Sequence, residues 1–271
     1  MSVSLKITEE VVIIIKKKYQ KYQKDNPMPY VIFFAQFDNT TISIFKSPKK
    51  ILYSLTVAGK KQANIEKVLK EIQEFIGLFF GHVIPVLWVT PEFLKDDNLR
   101  SSVLYSGIKW KCIKVHPQLS PDEWEPNSTN YESVVSLARS MKVPVLIHTG
   151  VVKNCHPSQI APLFNKYKDQ LFIMAHGRPI EETFLVMESY RNTIVDTAFM
   201  PIEHIQQLVQ RGYEHRILWG SDYPIIKFYE RNLDYCKFYR EQLVLLREMV
   251  NSDTFERITC SNFSKIFNID N

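Results

Sequence analysis

Three apolar runs in this chain each end on a side chain that can bind a metal or move a proton. They are Val145-Leu146-Ile147-His148-Thr149-Gly150, Leu171-Phe172-Ile173-Met174-Ala175-His176-Gly177 and Ile217-Leu218-Trp219-Gly220-Ser221-Asp222-Tyr223-Pro224. Short apolar runs of this kind read as parallel strands buried on both faces. The residue after each run then sits at a strand's C-terminal end. Two histidines and an aspartate repeated in that position point to one site at one mouth of a barrel. Such a set can hold a divalent ion and activate water. A lone histidine of this type is more often a satisfied core residue, and it is the recurrence that favours a site.

The three groups take different roles. Neutral imidazole suits zinc and similar ions, which makes His148 the candidate ligand. His176 is a second ligand or an acid/base in contact with substrate, and Gly177 after it lets a loop or ligand approach closely. Asp222 can bind the ion or take a proton from its water. A fourth run, Ile113-Lys114-Val115-His116-Pro117, adds two more candidates. Alternation puts Lys114 and His116 on one side of the strand. Lys114 suits an anionic substrate group, and so does Arg178, two residues past His176. His116 suits substrate contact rather than metal binding. His82, His156, His204 and His215 read as surface residues, and no nucleophile elbow, phosphate loop or HExxH helix is present.

The elements that must position these residues alternate along the chain. Strands are expected at residues 30–34, 62–65, 83–89, 112–115, 144–147, 171–175, 193–195 and 217–219. Helices are expected at 48–58, 66–76, 130–141, 157–167, 180–190, 202–211, 229–250 and 253–267. Strands alternating with helices imply a parallel sheet, and eight such units imply closure. The expected fold is α/β, a (β/α)8 TIM-like barrel with an added N-terminal helix. That helix covers about residues 8–24 and is stopped by Asn26-Pro27-Met28-Pro29. The expected division is therefore a helical extension over 1–29 and a barrel over 30–271. No Gly-rich turn follows the first strand, which speaks against a dinucleotide fold.

Length and composition agree. A chain of 271 residues accommodates one barrel, and 45% hydrophobic with 23% charged residues is a globular balance. The early run Val11-Val12-Ile13-Ile14-Ile15 is far too short to span a bilayer. It is also followed rather than preceded by its lysines, unlike a secretory signal. A cytoplasmic protein is expected. The net charge of +5 is spread out, which argues against a nucleic-acid partner. The four cysteines, Cys112, Cys155, Cys236 and Cys260, show no CxxC spacing and are expected to be reduced. The expected partner is a small-molecule substrate, with no nucleic acid and no membrane, and a homo-oligomer is left open.

At these motifs the chain resembles the amidohydrolase superfamily, in its amidohydrolase-related branch. The motifs are Cys112-Ile-Lys-Val-His-Pro117, Pro144-Val-Leu-Ile-His-Thr-Gly150, Met174-Ala-His-Gly177, Ile194-Val-Asp-Thr197, Arg216-Ile-Leu-Trp-Gly-Ser-Asp-Tyr-Pro224 and Asn262-Phe-Ser-Lys-Ile-Phe267. The resemblance is read over about residues 30–269. It implies a distorted barrel with one divalent ion, zinc or else manganese, at its C-terminal mouth. It implies hydrolysis of an amide, ester or lactone, or decarboxylation on the same scaffold. His148 matches the ligand of the family's fifth strand, His176 the histidine of the sixth and Asp222 the carboxylate of the eighth. The first strand departs from the pattern. Phe34-Ala35-Gln36-Phe37-Asp38 falls where the family carries two histidines, so Gln36 and Asp38 would replace them as ligands. The alternative reading is a catalytically degenerate barrel that binds a small molecule or a protein. A relative of the barrel-type deoxyribonucleases is a weaker third, because it would want an acidic ligand where Lys114 and His116 stand.

Overall fold

The computed structural model describes residues 83–221 and 235–268, the backbone of 33–36 and 50–56, and helical residues 69–70, 73 and 76–77. Its core is one eight-stranded sheet in sequential order. The strands are β1 (Phe33–Gln36), β2 (Lys50–Thr56), β3 (Val83–Trp88), β4 (Cys112–Val115), β5 (Val145–His148), β6 (Phe172–Ala175), β7 (Thr193–Asp196) and β8 (Ile217–Leu218). From β2 to β8 all neighbours are parallel, while β1 pairs antiparallel with β2. The fold is an α/β barrel of the (β/α)8 type. The expected N-terminal helix and the expected strand at 62–65 lie outside the described residues.

Two expectations are corrected. The segment 48–58, expected as a helix, contains β2. Its Ile51-Leu52-Tyr53-Ser54-Leu55-Thr56 is rich in residues that fit a pleated surface, and β3 offers it six paired positions in register. The sheet is also not parallel throughout, because β1 is reversed.

Outside the sheet lie α1 (Pro91–Lys95), α2 (Asp97–Leu104), α3 (Thr129–Met141), α4 (Pro157–Lys166), α5 (Ile180–Ser189), α6 (Ile202–Gln210), α7 (Tyr235–Met249), α8 (Ser252–Glu256) and α9 (Asn262–Phe267). A π-helix, Arg257–Ser261, joins α8 to α9. In α3 the buried residues Tyr131, Val134, Val135 and Ala138 recur at helical spacing, and Lys142 ends the helix in the left-handed region at φ 57°. They pack with Val145 and Ile147 of β5, whereas Leu146 of the same strand joins a separate inner cluster. The alternation holds in every strand from β4 to β8. The inner cluster is a floor of Cys112, Leu146, Ile173, Ile194 and Leu218, joined by Phe263 and Phe267 from α9. Each large apolar side chain removed from water there contributes about 1.5–3 kcal/mol.

The free edge of β8 is closed without a strand. The Leu218 carbonyl accepts from the Thr197 N–H on the β7 side (3.0 Å), so the peptide groups of Ile217 and Trp219 face the other way. There the Trp219 N–H donates to the Ile258 carbonyl of the π-helix (3.1 Å). The Ile217 carbonyl accepts from Asn262 Nδ2 (2.7 Å), which also donates to the Glu214 carbonyl (2.8 Å). The π-helix lies against both β8 and β1. It presents a carbonyl sideways, which a regular helix would keep for its own ladder. Arg216 makes a second polar anchor, donating to the carbonyls of Met187, Tyr190 and Thr193 (2.6–2.7 Å) at the end of α5. Cys112, Cys155 and Cys260 are buried. No helix among the described residues is long and apolar enough to cross a membrane.

Replacing Asn262 with Leu keeps the volume and removes the shared donor. Two carbonyls then lose their partner, and the variant should be destabilised by about 1–3 kcal/mol in urea unfolding.

Candidate active site

Above the apolar floor the same inward positions turn polar. On β4 the sequence Cys112, Lys114, His116 faces inward, and on β5 Leu146 is followed by His148. Lys114 is fully buried, and His148 and His176 are 5% and 4% exposed. Trp88, at the end of β3, is paired in register with Lys114 and is 1% exposed. The structure therefore gathers His116, His148 and His176 at the C-terminal ends of adjacent strands, as expected, with Lys114 one step below. Arg178 is exposed at the rim and donates its backbone N–H to Thr149 Oγ1 (3.3 Å). Gln36 is the last residue of β1, but its side chain lies outside the described residues. Asp38 and Asp222 also lie outside them, although buried Ser221 brings the chain to the mouth just before Asp222.

The rings form a continuous arc. Trp88 stacks on His116 (centroids 5.4 Å), His116 on His148 (3.9 Å), His148 meets His176 edge-on (4.9 Å), and His176 leans on Phe199 (5.9 Å). The planes of His116 and His148 are only 12° apart. Nitrogen lone pairs lie in the ring plane, so two parallel rings cannot aim at one ion. His116 is thus suited to substrate rather than to a metal shared with His148. The T-shaped pair His148 and His176 carries no such restriction.

Burial holds all three imidazoles neutral. It pushes His116 down to about 3, helped by nearby Lys114. Burial, then His116, His176 and Lys114, holds His148 well below its usual value, and burial with Lys114 and Arg178 does the same for His176. Neither ring nitrogen of His148 has a hydrogen-bond partner among the described residues. A buried polar group left unsatisfied in this way costs free energy unless something else takes it up. A neutral, unclaimed imidazole is what a metal ligand must be, so His148 fits that role. Among the described residues no group of three His, Cys, Asp or Glu gathers round one metal position. A complete centre would therefore draw on Gln36, Asp38 and Asp222.

Asp196, inside the motif Ile194-Val-Asp-Thr197 but not among the expected site residues, belongs to the site. It ends β7 on the inward face and is 1% exposed. Oδ1 accepts from the N–H groups of His176 (3.3 Å) and Ala198 (2.8 Å), while Oδ2 has no partner among the described residues. Burial raises its carboxyl to about 6, against the lowering pull of the Ala198 N–H and Lys114. The signal was available in the sequence, since Asp196 ends the apolar run Ile194-Val195 as His148 ends its own. Trp88 was legible in the same way, from inward alternation.

A family described as amidohydrolase matches residues 56–251, more than half of the chain. The chain belongs to this family. Among solved structures, an uncharacterized TIM-barrel protein from Bordetella bronchiseptica superposes with a TM-score of 0.60 at 16% identity, over 74% of this chain and 72% of that one. A probable 2-pyrone-4,6-dicarboxylic acid hydrolase from Acinetobacter baumannii gives 0.55 at 15%, over 79% and 82%. Dihydroorotase from Campylobacter jejuni gives 0.51 at 14%, over 76% and 72%. At these identities they show the barrel alone. A different family, a domain of unknown function (DUF3378), matches residues 2–53. Ribonuclease HIII of Lactococcus lactis subsp. cremoris (strain SK11) is 26% identical over 113 residues, covering 37% of this chain and 36% of that protein. The chain spans about a third of that relative's length. The amidohydrolase match thus starts at the last residue of β2, not near residue 30 as the motifs suggested.

Gly177 holds the His176 turn. It sits at φ 52°, and a Cβ there would overlap Val195 Cγ2 and come within 2.8 Å of Met200 Cε. Gly177→Ala should cost about 2–4 kcal/mol from strain and overpacking, read as a lower urea midpoint.

Proposed function

We propose that this amidohydrolase-family barrel hydrolyses a small carbonyl substrate, an amide, ester or lactone, that bears a carboxylate. The observation that carries the reading is the polar ceiling itself, where buried Lys114 and three neutral histidines stand at the ends of neighbouring strands. A divalent ion held by His148 with Asp222, Asp38 and Gln36, zinc or manganese by the donor types, would supply an acidified water and a Lewis acid for the carbonyl. Lys114 and Arg178 bind the substrate's carboxylate, one from below and one from the rim. His116, stacked on Trp88 and His148, lines the substrate's planar face. His176 takes up a proton and passes it to the leaving group. Asp222 takes the proton of the attacking water, and the burial of Lys114, His148 and His176 strengthens each of these interactions. Decarboxylation of a small acid would use the same carboxylate-binding groups.

A second reading has its own observation. Residues 2–53 match a family other than the amidohydrolases, and that span contains Gln36 and Asp38. A barrel whose first strand is not of the amidohydrolase type loses the usual ligand pair there. It would then persist as a module that binds a small molecule or a protein.

Metal analysis separates the two. The hydrolase reading expects about one divalent ion per chain after equilibration with zinc or manganese, and its loss in His148→Ala. A parent stoichiometry near zero would leave the binding-module reading standing. Where a carboxylate-bearing lactone or ester is turned over, Lys114→Met should lower kcat/KM by about 100-fold or more, because a buried charge pair with the substrate is lost.

A further inference from the structure

We propose that Asp196 is a positioning residue that fixes both the aim and the tautomer of His176. The inference deepens the hydrolase reading, because it rests on His176 facing the substrate.

His176 occupies a costly backbone conformation. It stands at φ 72°, and Phe199, on the facing turn, at φ 57°. Residues with a Cβ avoid this region by about 1–2 kcal/mol each, so something must hold the two turns together. Asp196 Oδ1 does so, accepting from the His176 N–H on one turn and the Ala198 N–H on the other. The same turn then reaches the ring, because the Ala198 carbonyl lies 3.0 Å from His176 Nδ1.

A carbonyl can only accept, so Nδ1 carries the hydrogen. In the neutral ring Nε2 then carries the lone pair. One carboxylate oxygen thus closes a loop from His176 backbone to Ala198 and back to the His176 ring. That loop turns Nε2, rather than Nδ1, into the nitrogen that accepts a proton or meets a ligand. Phe199 follows directly and leans on the ring at 5.9 Å, so the turn that sets the tautomer also limits ring rotation. Asparagine at 196 keeps an oxygen for both N–H groups, whereas alanine keeps none.

The test uses the full chain with 15N-labelled histidine and long-range 1H–15N correlation near neutral pH. No substrate or metal is added, so its outcome is independent of whether hydrolysis is the activity. The His176 signals are assigned by their loss in His176→Asn. The proposal expects an Nδ1–H signature for His176 in the parent, retained in Asp196→Asn. It expects a loss of that signature, to a mixed or Nε2–H pattern, in Asp196→Ala. An Nε2–H pattern in the parent overturns it whether or not either variant folds. So does a folded Asp196→Ala that keeps the parent's signature. Loss in both variants also overturns it, since the acceptor oxygen would then not be the agent.

Discussion

The two-residue alternation of the parallel strands is the constraint on which everything else rests. Each strand from β4 to β7 is buried on both faces, so side chains pointing out meet helices and side chains pointing in meet each other. A slip of one residue in β5 would send His148 into the helical layer and Ile147 into the mouth. The apolar floor and the polar ceiling are therefore one construction. Leu146, Ile173 and Ile194 fix the register, and that register places His148 and Asp196 one step above the floor on their own strands, with Lys114 level with Leu146.

That construction needs a closed ring, and closure comes from an unusual quarter. The outward edge of β8 is taken by the Ile258 carbonyl and by Asn262, and α9 sends Phe263 and Phe267 into the floor. The C-terminal segment thus supplies hydrogen bonds and apolar volume that a neighbouring strand would supply in an ideal barrel. β1 is reversed, lies within the span of another family, and is paired only with β2 among the described residues. With β8 satisfied by the C-terminal segment, what lies beyond it is freed from strict parallel pairing. This gives a physical reason why so different a first strand is compatible with an intact set of strands from β3 to β8.

The legible part of this chain was the part with strong local signals. From β3 to β8 each apolar run lies between turn residues and helical patterns, and each appears within a residue or two of its expected place. His116, His148 and His176 were readable as strand-end residues because each closes an apolar run and the placement recurs. Asp196 was less so, since an aspartate after a strand is a common turn former. Its role becomes visible only through the His176 and Ala198 N–H groups, which are twenty residues and two residues away. The β2 segment misled because Pro48 is a good helix opener and the lysines beside it favour helix over strand. Pairing with β3, a tertiary effect, decided it.

The electrostatics of the ceiling restrict what can enter it. Three imidazoles are held neutral by burial and by Lys114, and the Asp196 carboxyl is raised. The described interior therefore offers lone pairs, N–H donors and basic side chains, with Asp196, its carboxyl raised to about 6, as the buried acid among them. Such a cavity favours an anion next to Lys114. A divalent cation there would need more negative charge than Asp196 alone supplies, which places the weight on the carboxylates of Asp222 and Asp38. A substrate carboxylate would lower that demand, because its own charge would sit between Lys114 and the ion. Substrate and metal would then bind with positive coupling, each improving the electrostatic environment of the other.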